Sequence, residues 1–213
     1  PSSCPMGKYG VSGKTTGEEA CTNCESGQYA TMSGLAFCST CNIPSKGNVT
    51  VTEDCVQRTE IVLTGKLNVT GIPDANGTLP KIIGGGSNRL FKVESGGELV
   101  VKYLYITGGR HSTDHGGAIY LENATTLLAT NSYFVNNRAD QHDAGRGGVV
   151  YSIGRNVLVV KKCNFLNNFA GHHGGAVWVK GLSGSTQHYA SVHIENSTFD
   201  GNEASYGGAA IVV

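Results

Sequence analysis

The sequence predicts an all-β protein in which a parallel β-helix, or solenoid, follows a small disulfide-rich N-terminal module. Six of the seven cysteines fall in the first 55 residues of the 213-residue chain, and glycine pairs recur later at a nearly fixed interval. No segment shows a sustained helical apolar period. The expected boundaries are residues 1–57 for the module and residues 58–213 for a β-helix of about five rungs.

The front of the chain predicts cross-links in place of an apolar core. Aliphatic runs are scarce among its six cysteines, which are Cys4, Cys21, Cys24, Cys38, Cys41 and Cys55. Small modules of this composition are usually held together by disulfides, which indicates an oxidising compartment. Two Cys-x-x-Cys pairs also suit zinc, but a tetrathiolate site uses four cysteines and this segment spaces six in one rhythm. We therefore expect disulfides and no metal.

Two segments of the front share the pattern Cys-x-x-Gly-x-Tyr, namely Cys4-Pro5-Met6-Gly7-Lys8-Tyr9 and Cys24-Glu25-Ser26-Gly27-Gln28-Tyr29. On this pattern, residues 4–55 resemble the ephrin-receptor-like cysteine-rich repeat. The resemblance implies disulfides between neighbours, Cys4 with Cys21, Cys24 with Cys38 and Cys41 with Cys55, although six cysteines alone leave many pairings open. It also implies a spacer or contact surface and no catalysis.

Two signals repeat through the rest of the chain. Glycine pairs stand at Gly116-Gly117, Gly147-Gly148, Gly174-Gly175 and Gly207-Gly208, with spacings of 31, 27 and 33 residues. The pattern Phe-x-x-Asn begins at Phe134, Phe165 and Phe199. Each glycine pair precedes a short strand-favouring stretch, and another lies before each phenylalanine. A repeat of this kind predicts a solenoid with at least two short strands in each period.

Alignment on the phenylalanines arranges the repeats in columns. Two columns are apolar and are expected to point inward: Leu99, Leu127, Leu158 and Val192, and Val101, Ala129, Val160 and Ile194. A third is expected to face water: Tyr103, Asn131, Lys162 and Asn196. The phenylalanines predict an inner aromatic ladder, and Asn137, Asn168 and Asn202 a stack at one corner. Cys163 shares a small inward column with serines, which predicts a buried free thiol.

These glycine and phenylalanine signals resemble the repeats of the chlamydial polymorphic outer-membrane protein family, which also occur in many proteins of algae and protists. The lead-in Lys81-Ile82-Ile83-Gly84-Gly85-Gly86 has the same style, so the resemblance covers residues 82–213. It implies a right-handed parallel β-helix used for surface display and adhesion. In the sequence given, no translocating β-barrel follows the repeat, so we expect a departure from that family in its export route.

Polar residues cluster just before the glycine pairs of successive rungs, and we call this set the polar edge. It comprises Arg110, His111, Asp114, His115, Asp140, His142, Asp143, Arg146, His172 and His173. Stacked rungs lie about 4.8 Å apart, so these groups are able to converge as a general acid and base or as metal ligands. The alternative is a set of solvated turn residues. Because no paired-carboxylate pattern repeats, we expect no catalytic residue, no metal and no cofactor, and a carbohydrate-active enzyme is the rival hypothesis.

An aromatic column runs alongside an aliphatic one. Tyr120, Tyr151 and Trp178 are next in phase to Ile119, Val150 and Val177, and strand alternation sends only one of these columns inward. If the aromatic column faces outward, it is suited to contact with a glycan or a protein. If it faces inward, it belongs to the core.

The remaining features concern compartment and partners. Five sequons, at Asn48, Asn68, Asn76, Asn123 and Asn196, predict N-glycosylation of a secreted or cell-surface chain. A net charge of zero argues against nucleic acid, and no apolar run is long enough to span a bilayer. The chain opens at Pro1 with no signal segment, which suggests a processed protein or a fragment. It closes on Ile211-Val212-Val213 with no polar cap, which predicts head-to-tail association into a fibril or surface assembly.

Overall fold

The chain forms the predicted all-β parallel solenoid, seen here in a computed structural model that describes residues 8–10, 21–23, 41–141, 144–181 and 190–213. In the front of the chain, β1 (Lys8–Gly10) pairs antiparallel with β2 (Cys21–Asn23). Every other strand pairing within the described ranges is parallel. No helix in the described ranges is long and apolar enough to cross a membrane.

Four parallel sheets run along the solenoid. Sheet 1 holds β3 (Gly47–Val51), β6 (Lys66–Gly71), β9 (Glu98–Lys102), β13 (Thr126–Thr130), β17 (Val157–Lys161) and β21 (Ser191–Glu195). Sheet 2 holds β4 (Cys55–Gln57), β7 (Lys81–Gly84), β10 (Tyr105–Thr107), β14 (Tyr133–Val135), β18 (Asn164–Leu166) and β22 (Thr198–Asp200). Sheet 3 holds β5 (Ile61–Leu63), β8 (Phe91–Val93), β12 (Ile119–Leu121), β16 (Val150–Ile153), β20 (Val177–Lys180) and β24 (Ile211–Val212). The shorter sheet 4 holds β11 (Arg110–His111), β15 (Arg138–Ala139), β19 (Phe169–Ala170) and β23 (Glu203–Ala204).

Residues 58–213 contain about five stacked rungs, as predicted. Strands β3 and β4 come before the predicted boundary at residue 57, yet they pair in parallel with β6 and β7. The solenoid therefore takes in residues from Gly47 onward. Whether the residues ahead of it form a separate module stays a prediction.

The predicted inward columns are in register and line the core. Leu99, Leu127 and Leu158 pair across β9, β13 and β17, and each is at most 1% exposed. Val192 and Ile194 continue the columns on β21 and are only partly buried, because no described rung follows theirs. Apolar side chains at every second residue of sheet 1 thus supply one wall of a continuous core.

The ladders expected from the Phe-x-x-Asn repeat are also present. Phe134, Phe165 and Phe199 stack with ring centroids 4.8 and 4.6 Å apart. Beside them, the side-chain Oδ1 of Asn168 accepts hydrogen bonds from the backbone and side-chain nitrogens of Asn137, at 2.9 and 3.1 Å. Asn168 Nδ2 donates to the carbonyl oxygen of Phe134 at 2.9 Å. Each corner of the stack therefore ties one rung to the next.

The glycine pairs allow the rungs to approach closely where sheet 3 begins. In the last pair the left-handed residue is the second glycine, Gly208 (φ 64°). In the first three pairs it is the first glycine, with φ of 67–69°, as at Gly147 (68°) and Gly174 (67°). A Cβ on the second glycine would meet the backbone of the next rung: at Gly148 it would lie 2.0 Å from the carbonyl oxygen of Gly175. Only glycine fits both positions.

Candidate functional site

The aromatic column faces away from the solenoid interior. Lys92, Tyr120, Tyr151, Trp178 and Val212 are in register across sheet 3. The alternate positions Ile119, Val150 and Val177 are buried in the core. Of the two orientations left open by the sequence, the structure has the aliphatic residues inside and the rings outside. The rings stack on each other, with centroids 5.0 Å apart for Tyr120–Tyr151 and 4.8 Å for Tyr151–Trp178.

Two of the three outward rings are nevertheless buried, and Tyr120 is half-buried. Tyr151 is 5% exposed and Trp178 is 9% exposed. His115 stacks on Tyr151 at 4.2 Å, and the guanidinium groups of Arg89 and Arg146 lie 4.8 and 5.3 Å from the rings of Tyr120 and Trp178. Burial raises the pKa of the Tyr151 hydroxyl to about 12. The column is therefore a second, outer layer of packing beneath the polar edge, and its ring faces are occupied by other side chains.

Arg89 anchors this outer layer, and the sequence reasoning did not identify it. Its Nε forms an ion pair with Glu60, its second guanidinium nitrogen reaches Asp114 Oδ2 at 2.7 Å, and its first donates to the carbonyl oxygen of His115 at 2.6 Å. Glu60, Arg89 and Asp114 each precede a strand of sheet 3. They stand one, two and five residues before the aligned positions Ile61, Phe91 and Ile119, so they share no column of the repeat.

The two described carboxylates of the polar edge are committed to ion pairs. Burial disfavours the charged form of Asp114, but the hydrogen bond and charge of Arg89 outweigh it and leave the pKa below its ordinary value. Asp140 is likewise partly buried, and its pairs with Arg138 and Arg110 lower its pKa. Arg138 also lies 4.1 Å from the ring of Phe169. Carboxyl groups held ionised in this way are poor general acids.

The histidines lie along the edge and do not form a single centre. Burial lowers the pKa of His111 and of His115, and the nearby arginine charges act in the same direction. His172 stacks on Tyr206 at 4.7 Å, and His173 Nδ1 lies 3.2 Å from the carbonyl oxygen of Gly207. Among the residues that the structure describes, no three His, Cys, Asp or Glu side chains are grouped to hold a metal ion. His142 and Asp143 of the polar edge lie outside those residues.

Cys163 occupies the position predicted for it in a small-residue ladder. Its thiol is buried and donates to the carbonyl oxygen of Lys161 at 3.3 Å, while its backbone N–H donates to Ser197 Oγ at 3.1 Å. One rung earlier, Ser132 Oγ likewise donates to the carbonyl oxygen two residues before it, that of Thr130, and it accepts a hydrogen bond from the Leu104 N–H, as Ser197 Oγ does from Cys163. Burial raises the pKa of the Cys163 thiol to about 11. At neutral pH this cysteine is a neutral packing residue.

Cys41 and Cys55 form a disulfide, the pairing that the resemblance implied for them. It joins the segment ahead of β3 to β4 in the first rung. Cys4, Cys24 and Cys38 lie outside the described residues, and only the backbone of Cys21 is described. The remaining pairings stay predictions.

The five sequon asparagines lie on the surface of the solenoid. Asn48, Asn76 and Asn196 are exposed, and Asn68 and Asn123 are half-buried. Asn48 and Asn68 are direct neighbours on β3 and β6. Asn76 is in the turn that Asp74 caps, and Asn123 Oδ1 accepts a hydrogen bond from the backbone of Arg155 at 2.9 Å.

Comparison with protein-family models, with curated proteins and with solved structures finds no match to this chain.

Proposed function

We propose that this chain is an extracellular structural or surface-display glycoprotein whose solenoid serves as a scaffold. The observation that carries the proposal is the Cys41–Cys55 disulfide, which is built into the first rung. A disulfide that staples the start of a fold suits a secreted protein, since cytosolic thiols are kept reduced. The resemblance to polymorphic outer-membrane protein repeats and to the ephrin-receptor-like module points to the same class.

The structure of the polar edge favours a scaffold over a carbohydrate-active enzyme. Asp114 and Asp140 are paired with arginines, and His115 is stacked on Tyr151. These contacts join successive rungs, as do the asparagine and phenylalanine ladders. The aromatic column, which the sequence offered as a glycan or protein contact, has its ring faces covered. These contacts support the scaffold over the rival hypothesis of an enzyme or a glycan-binding module.

Expression in a secreting eukaryotic cell line tests the proposal. We expect the chain to appear in the medium with the Cys41–Cys55 linkage in its tryptic peptides and with a mass that falls on enzymatic deglycosylation. Incubation of the same material with a panel of acidic and neutral polysaccharides should release no reducing ends or unsaturated products. Retention of unglycosylated, reduced protein inside the cell would contradict the proposed extracellular location. Polysaccharide cleavage that is lost in the D114N variant would favour the enzyme hypothesis.

We also propose that the solenoid stacks end to end with further β-rungs. Strands β21, β22 and β24 lie at the edge of their sheets. The inward side chains of this rung, including Ile194 and Phe199, are only partly buried. Unpaired parallel strands and an apolar cross-section favour the addition of another rung, whether from a continuation of the same polypeptide or from another molecule.

Light scattering across a concentration series tests whether another molecule supplies that rung. The present sequence is expected to form oligomers that grow with concentration, and I194K is expected to keep it monomeric because a buried unpaired charge would face the joint. The matched control K46E changes an exposed charge ahead of β3. A monomer at all concentrations without the substitution would leave the scaffold proposal intact but remove head-to-tail assembly.

A further inference from the structure

An aliphatic stripe runs down the outer face of sheet 1. Val100, Leu128 and Val159 are direct neighbours on β9, β13 and β17. They point outward, because the residues on either side of them, such as Leu127 and Ala129, are buried in the core. Val100 is buried, whereas Leu128 and Val159 are partly exposed. We call these three residues the outer stripe.

The outer stripe begins at a sequon. Asn68 on β6 is the direct neighbour of Val100 in the same column, and the sequon Asn48 on β3 comes one rung before it. The hydroxyl of Thr70 donates to Asn68 Oδ1 at 3.3 Å, a contact that does not use the Nδ2 atom to which a sugar is attached. Leu128 is two rungs from Asn68, a distance of about 10 Å.

Mostly polar columns flank the outer stripe. On one side, Lys66 and Glu98 form an ion pair at 2.8 Å, Thr126 follows in register, and the exposed Val157 comes next, beside Val159. On the other side, Thr70, Lys102, Thr130 and Lys161 are in register. Around Leu128 the face therefore presents aliphatic groups along its middle and hydroxyl, ammonium and carboxylate groups along its margins.

We propose that an N-glycan on Asn68 lies along the outer stripe and covers Leu128 and Val159. A pyranose ring has the matching amphipathic character, with C–H groups on its faces and hydroxyls around its rim. A glycan chain advances by about one rung for each sugar, so its first sugars reach Leu128 when the chain runs along the column. This arrangement removes apolar surface from water and keeps the sugar hydroxyls beside polar partners. The inference rests on the proposed function, since N-glycosylation requires a secreted chain.

Hydroxyl-radical footprinting of the secreted protein, read by mass spectrometry, tests this position. We expect the oxidation rate of Leu128 to rise several-fold when Asn68→Gln or Thr70→Ala removes the sequon. Asn76→Gln is the matched control, because Asn76 lies in an exposed turn and not on the outer face of sheet 1. Leu127, which is inward and buried, reports in every variant that the fold is intact.

Trimming the folded wild-type protein to a single sugar at each site gives a second measurement that needs no substitution, and it should raise the Leu128 rate in the same way. Equal Leu128 rates with and without the Asn68 glycan would overturn the inference. Continued protection in N68Q would show that another occupant covers the stripe, such as a glycan on the neighbouring Asn48 or a second copy of the chain. Absence of sugar at Asn68 alone would overturn the inference only. Absence of sugar at every sequon would overturn the proposed compartment as well.

Discussion

One corner of the solenoid is closed by residues in a left-handed backbone conformation. Tyr103, Asn131, Lys162 and Asn196 have φ values of 53°, 49°, 53° and 49°, in successive rungs between sheet 1 and sheet 2. Asparagine tolerates this conformation, whereas most other L-residues pay about 1–2 kcal/mol for it. The column was predicted to face water, and Lys162 and Asn196 are exposed. The strain at Lys162 is therefore separable from packing.

Substitution of Lys162 by asparagine should stabilise the fold. We expect K162N to raise the free energy of unfolding by about 1 kcal/mol, because it relieves left-handed strain at an exposed site. Chemical denaturation of the two proteins measures the difference. The control is K180N at the exposed end of β20, where φ is not positive and no gain is expected. Equal gains at both positions would show that loss of a lysine charge, and not backbone strain, is responsible.

Cys163 can be tested as a member of the serine ladder. We expect C163S to change the free energy of unfolding by less than about 1 kcal/mol, because a hydroxyl can replace the thiol as donor to Lys161 and as acceptor from the backbone of Ser132. C163V removes both functions and should cost about 1–3 kcal/mol. Equal stability of the serine and valine variants would mean that only volume matters at this site. In the native protein the thiol should react with a disulfide reagent only on unfolding.

The asparagine stack is the structural element most dependent on single side chains. Asn168 joins its own rung to both neighbouring rungs. Its Oδ1 accepts from Asn137 and its Nδ2 donates to the carbonyl oxygen of Phe134 in the preceding rung, and its Nδ2 donates to Asn202 Oδ1 at 2.8 Å in the following rung. Replacement by alanine would leave several buried backbone and amide groups without partners. We expect N168A to lower the free energy of unfolding by at least about 3 kcal/mol.

The matched control for the stack is N164A, four residues earlier on β18, where the side chain points outward. It should cost less than about 1 kcal/mol. Denaturant melts of both variants give the comparison, and a mild effect at Asn168 would indicate that water readily replaces the amide in the corner.

The polar edge predicts a two-step loss of stability in acid. Burial lowers the folded-state pKa of His115 and His111 below the ordinary value of 6.5. The unfolded chain therefore binds protons first, so this contribution is complete above about pH 6.5 and is lost as the pH falls toward the folded pKa. Asp114 and Asp140 have pKa values lowered below 3.8, so their contribution persists to lower pH and is lost as the pH falls through their folded pKa.

The first acid step should depend on His115. We expect the free energy of unfolding to decrease between pH 7 and about pH 5, and H115Q to reduce that slope, because glutamine binds no proton. The control H193Q changes a histidine on the outer face of β21, whose side chain is 57% exposed, and should leave the slope as in the parent protein. An unchanged slope in H115Q would assign the step to other groups.

The repeat made most of the fold predictable, because inward columns are set by strand alternation and by one period. Leu127, Phe165 and Asn168 all occupy the places that the alignment assigned. The outer layer was not predictable in the same way. Strand alternation allowed Tyr151 to point inward or outward. It points outward and is still buried, because the segment ahead of β12 brings His115 over its ring. Arg89 was not predicted because its partners, Glu60 and Asp114, come from the rungs before and after it.

Stacked rungs make the whole molecule nearly one-dimensional, so stability is shared mainly between neighbours. The first rung pairs on one side with β6, β7 and β8. The segment at Cys41 is joined to this rung by the disulfide and by a hydrogen bond of 2.9 Å from the Cys41 N–H to the carbonyl oxygen of Val56. The inward residues of the opposite end rung, such as Ile211, are only partly buried. Hydrogen exchange is therefore expected to be slowest in the central rungs.

Removal of the Cys41–Cys55 disulfide should weaken the first rung selectively. The disulfide spans 14 residues, and a loop of this length is worth about 3 kcal/mol through the unfolded state. We expect the C41A/C55A variant to lose amide protection in Gly47–Leu63, while β17 and β18 keep theirs because they are several rungs away. Hydrogen exchange with mass spectrometry measures both regions in one experiment, and C163S controls for the loss of a cysteine elsewhere. An equal loss of protection in every rung would show that the solenoid unfolds as one cooperative unit. No loss of protection would show that pairing with β6 and β7 alone holds the first rung.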